Sequence, residues 1–154
     1  MRFMDARPDG RAVVYAHIQS DPLVARAAEL LATATTTQRL LARAVMNGES
    51  ADPATWRTMF PTLFGSAAPG PGDPVRDRSE AILEASLAVA DRGEQTRSQF
   101  RGAIVEALTE RLLAERTAPV RRERRIGFDG RPDEIHPYDV TVEREGAREA
   151  WDCK

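Results

Sequence analysis

The fold class this sequence predicts is α+β (mixed α/β), helices first and antiparallel strands after. Three observations predict it. Apolar residues recur at helical spacing in successive segments up to about Arg116. Beyond Pro119 the pattern changes to short, strand-length runs. Two turn dipeptides, Asp129-Gly130 and Glu145-Gly146, divide those runs. Segregation of helices from a strand hairpin is the mark of the α+β arrangement.

The elements follow in order. Arg7-Pro8-Asp9-Gly10 is turn chemistry, followed by a short apolar run, Ala12–Ile18, of either type. Ser20-Asp21-Pro22 is a helix start, a polar cap with proline in the first turn. From it Leu23, Ala27, Leu30, Leu31, Ala34, Leu41 and Val45 extend one helical pattern to a stop at Asn47-Gly48. Asp52-Pro53 starts a second helix that must end before Pro61, and its Trp56, Met59 and Phe60, with Leu63 and Phe64 beyond, read as core or interface residues. Proline and glycine between residues 65 and 74 forbid regular structure and form a loop or linker. A third helix runs from Asp73-Pro74 to near Gly93. A fourth starts at Thr96–Gln99, which fits a capping box, and carries Ile104, Leu108, Leu112 and Leu113 toward Arg116. The expected division is a helical N-terminal region, residues 1–93, and a second unit, residues 97–154.

Composition narrows the function classes. With 42% hydrophobic and 30% charged residues the chain is neither fibrous nor disordered. Its formal net charge of -2 gives no global signature of nucleic-acid binding, so any such role needs a local basic patch. No apolar run approaches the roughly 18 residues of a membrane span, and no membrane partner is expected. Cys153 is the single cysteine, which excludes an internal disulfide and makes a reducing cytoplasm the expected location. Of 22 Lys and Arg residues all but one are arginine; the exception is Lys154. A lone lysine hints at work suited to a compact ammonium rather than a guanidinium, such as holding a metal-bound water; chance placement is the plain alternative.

A two-residue loop at Glu145-Gly146 sets the register of the strands Tyr138–Arg144 and Ala147–Lys154. Arg144 then faces Ala147, Glu143 faces Arg148, Val140 faces Trp151, Tyr138 faces Cys153 and Asp139 faces Asp152. Opposite charges and apolar pairs stabilise this register, whereas Val142 against Glu149 is a poor match. Two facing carboxylates repel unless something binds between them, and a divalent cation is one such thing. Alternation puts Lys154 on the same face as Asp152. A solvated sheet face carrying scattered charges is the alternative and stays open at this stage.

These residues resemble the PD-(D/E)XK nucleases. That family carries an acid on one strand and Asp/Glu-x-Lys on its antiparallel neighbour, here Asp139 and Asp152-Cys153-Lys154. Many members add a helical glutamate after a Lys/Arg-Gly pair, as in Arg101-Gly102-Ala103-Ile104-Val105-Glu106. The spacing is similar to that in archaeal Holliday-junction resolvases, and the resemblance covers residues 97–154. In this chain Asp139 follows His136-Pro137-Tyr138, with the proline displaced from its usual place beside the acid, and the second acid is aspartate where glutamate is commoner.

The resemblance implies phosphodiester hydrolysis, with DNA the expected substrate, in restriction, phage defence or repair. Asp139, Asp152 and the Cys153 carbonyl would hold Mg2+, with Mn2+ as a substitute. Lys154 would position or deprotonate the attacking water, and Glu106 would complete the metal sphere or orient Lys154. Arg116, Arg121, Arg122, Arg124, Arg125 and Arg131 form a local basic patch suited to phosphate contacts, or else a solvated charged strand. The family fold continues past Lys154 into another strand and a helix. The expectation is therefore a fragment, inactive alone, whose core the remainder of the polypeptide or a partner protein completes, with a homodimer as a further option. The competing reading is a non-catalytic helical interaction protein carrying a remnant of a nuclease-like fold.

Overall fold

A computed structural model describes residues 2–5, 10–115, 120–144 and 146–153. The order is β1 (Arg2–Asp5), α1 (Gly10–Gln19), α2 (Pro22–Ala32), α3 (Thr36–Asn47), α4 (Pro53–Met59), α5 (Pro61–Phe64), α6 (Pro74–Ala90), α7 (Glu94–Ala114), β2 (Val120–Phe128), β3 (Arg131–Arg144) and β4 (Ala147–Trp151). The α+β class holds: a helical layer packs against one antiparallel sheet of order β1-β2-β3-β4. No helix among the described residues is long and apolar enough to cross a membrane.

The helix starts follow the Asp-Pro signals. The side-chain oxygens of Asp21, Asp52 and Asp73 each accept from a backbone N–H two residues on, with proline between. The single helix expected from residue 22 to 47 is instead two. Thr35 accepts from Gln38 N while Gln38 Oε1 accepts from Thr35 N, a complete capping box that begins α3 afresh. Arg39 closes the end of α2 by donating to the carbonyls of Leu31 and Ala32. The apolar spacing runs on across the break because both helices face one core, which includes Val24, Leu41, Val45, Ile82, Leu83, Val89, Phe100 and Ile104. Each large side chain buried there contributes about 1.5–3 kcal/mol.

The start of α7 also differs from expectation. Gly93, at φ 78°, is the N-cap, so the helix is already under way at Thr96–Gln99 and no capping box forms there. Glu94 in its first turn pairs with Arg97. One element lies where no strand was expected. Arg2–Asp5 forms β1 and pairs with β2, Phe3 opposite Ile126, within the segment that reads as helical. The undecided run Ala12–Ile18 is part of α1.

In the sheet, Asp129-Gly130 turns β2 into β3, with Phe128 opposite Arg131 and Gly130 at φ 82°. β3 begins at Arg131, earlier than the expected Tyr138. The second hairpin keeps the expected register from Arg144–Ala147 to Val140–Trp151, including the Glu143–Arg148 pair, an ion pair at 3.1 Å. α7 packs against α1, α2 and α6 and also against β2 and β3. That central position brings the N-terminal helices to the strands.

Candidate functional site

The β3–β4 ladder ends one pair short of the expected meeting of Asp139 with Asp152. Beyond Val140–Trp151 the chain leaves the strand, and the Asp139 carboxylate accepts the Cys153 backbone N–H at 2.6 Å. A charged acceptor makes this a strong hydrogen bond, and it occupies Asp139 with backbone. The Cys153 thiol lies 3.6 Å from Thr109 Oγ1 on α7, so the strand end is tied to the helix as well. Asp152 is exposed, and Asp139 and Cys153 are half-buried. Lys154 lies outside the described residues.

Glu106 lies on α7, three residues before Thr109. It stands roughly 200° round the helix from Ile104 and Leu108, which argues for a solvent-facing side chain. Instead it is only 5% exposed. The reason is that α1 covers this flank of α7. Tyr15 donates its hydroxyl to Glu106 Oε1 at 2.6 Å, and Gln19 Nε2 donates to Oε2 at 2.8 Å. A buried carboxylate is tolerable only with such donors. Gly102, one turn earlier on α7, makes room for this contact: a Cβ there would lie 3.1 Å from the Tyr15 hydroxyl.

Cys153 feels several acids. Burial pushes its thiol above the usual value, the Thr109 hydroxyl opposes this, and the charges of Asp139, Glu106 and Asp152 raise it further. Of these acids, Asp139 alone is in direct contact with Cys153, through the backbone N–H. Among the described residues, no three acid, histidine or cysteine side chains stand as a ready-made metal cage. The donor chemistry nonetheless suits a hard divalent cation. The donor types present, carboxylates and backbone carbonyls, are those that such a cation takes.

The arginines expected to form one patch differ in exposure. Arg121, Arg125 and Arg131 are exposed. Arg122 is tied to Glu110 of α7 at 2.6 Å. The Arg124 side chain is 11% exposed and lies over the Phe3 ring, 5.2 Å from its centroid. Arg116 is outside the described residues. Tyr15 and Gln19 are the residues sequence reasoning missed. Their only signal is an i, i+4 spacing, visible once α1 is known to be a helix. Comparison of the chain with family models, curated proteins and solved structures gives no match.

Proposed function

We propose that this chain carries part of a metal-dependent nuclease site of the PD-(D/E)XK kind, hydrolysing phosphodiester bonds, with DNA as substrate. The observation that carries the reading is geometric: the Asp139 carboxylate holds the Cys153 N–H at 2.6 Å and the Cys153 thiol lies 3.6 Å from Thr109 Oγ1, on the helix that bears Glu106, with Asp152 and the chain's only lysine next to Cys153 in sequence. Asp139, Asp152 and the Cys153 carbonyl would hold Mg2+ or Mn2+, and Glu106 would complete the sphere or orient Lys154. Bound there, the cation would stabilise charge on the phosphate and lower the pKa of a water. Lys154 would position that water or take its proton. Arg121, Arg125 and Arg131, being exposed, would contact the phosphate backbone without reading sequence.

A second reading, a non-catalytic interaction protein with a nuclease-like remnant, is favoured by one observation. The protein itself supplies donors to two of the acids: Tyr15 and Gln19 to Glu106, and the Cys153 N–H to Asp139. A cleavage assay separates the two. The 154-residue chain, and the longest polypeptide its gene encodes, are incubated with supercoiled plasmid in magnesium, manganese or EDTA. The nuclease reading expects metal-dependent nicking by the longer form, abolished by Asp152→Ala and by Lys154→Ala. Absence of cutting of DNA or RNA by the longer form with either metal supports the non-catalytic reading.

A further inference from the structure

The molecule carries a second feature, a groove between α2, α3 and α7 of about 560 Å3. Its floor is apolar, built from Leu31, Met46, Ile104 and Leu108, with Val105 at the edge and 39% exposed. Its rim is basic: Arg39, Arg43 and Arg101 line it, and none of the lining residues is acidic. Two of these guanidiniums are held in place. Arg39 donates to the carbonyls of Leu31 and Ala32, and Arg101 Nη1 donates to Met46 O and Asn47 Oδ1. Each keeps further N–H groups for an outside acceptor. Arg43 is exposed and makes no side-chain hydrogen bond or ion pair among the described residues.

The geometry points to a docking site for an acidic amphipathic helix of a partner protein. Such a helix lays its apolar stripe on the floor and its Asp and Glu flanks against the three arginines, the helix-in-groove mode of recognition. Charge complementarity selects this occupant. A second copy of the chain would have to bring an acidic, apolar-striped helix; on α6, Glu84 already pairs with Arg26, and Glu80 with Arg57 and Arg76. Nucleic acid would satisfy the arginines but has no apolar side chains to cover the floor. Met46 in that floor suits a helix, since its unbranched side chain adapts to varied partners. The inference is independent of the nuclease reading.

The probe is a displayed library of helical peptides, randomised at apolar and charged positions and selected on the whole 154-residue chain. The best peptide is then titrated by fluorescence anisotropy against the wild-type chain, Arg43→Glu and Val105→Asp, with a short DNA duplex as competitor. Both positions are exposed, and a thermal melt of each variant checks its folding; Arg43→Ala replaces Arg43→Glu if that variant does not fold. Enrichment of an apolar stripe flanked by Asp and Glu is expected, with binding weakened roughly tenfold in each variant and further by salt. The proposal is overturned by failure to enrich, by enrichment without acidic flanks, by equal binding to the variants, or by displacement of the peptide by the duplex.

Discussion

Glu106 illustrates how a single residue couples packing to chemistry. Its two oxygens accept from Tyr15 and Gln19, so removing the carboxylate leaves two donors in a buried setting. Each unsatisfied donor costs about 1–3 kcal/mol, so Glu106→Ala is predicted to destabilise the fold by about 3 kcal/mol in urea unfolding. A loss under about 0.5 kcal/mol, the size typical of a surface change, would show that the network stores no stability. Cys153 gives a pH signature. Its folded-state pKa is raised above the ordinary 9.0, chiefly by burial. The folded state therefore holds the thiol proton more tightly than the unfolded chain. This contribution is present below pH 9 and is lost as pH rises through the folded value. The urea midpoint should fall more steeply between pH 8 and pH 10 in the wild type than in Cys153→Ala. Parallel curves would refute that assignment. Legibility at this scale was uneven. The spacing Arg101-Gly102 to Glu106 picked out the acid, while helical periodicity argued it into solvent, because one helix's stripe says nothing of what packs on its other flank. Tyr15 and Gln19 could not be found, since their role exists only where α1 meets α7.

At the scale of elements, local chemistry was readable where proline fixes the backbone and where cross-strand pairs set a register. The three Asp-Pro starts and the Glu145-Gly146 hairpin register follow from proline geometry and from cross-strand pairs such as Glu143–Arg148. The break between α2 and α3 was missed because apolar spacing continues across it. What stops the helix is a side-chain cap at Thr35, and the polar pattern Thr35 to Gln38 was its only trace. Thr35→Ala should cost about 1 kcal/mol, read as a lower midpoint in thermal or urea unfolding. Unchanged stability would mean that the turn at Thr33–Thr35 is fixed by core packing alone. β1 was missed for a different reason. Four residues carry too little pattern to announce a strand, and Arg2–Asp5 is held there by the β2 edge it pairs with.

On the scale of the whole molecule, α7 is the link between the two ends of the chain. It buries Phe100 and Ile104 in the helical core and also meets β2 and β3. The candidate site inherits this arrangement. Its acids come from α7, β3 and the segment after β4, and the donors that hold Glu106 come from α1. The central claim is that these acids bind one divalent cation, and manganese binding tests it without depending on turnover. Free Mn2+ is followed by electron paramagnetic resonance as the wild-type chain, Asp139→Asn and Asp152→Asn are titrated. The account predicts one saturable site in the wild type, competed by Mg2+ and weakened at least roughly tenfold in each variant. No saturable binding, or variants that bind as tightly as the wild type, would contradict it.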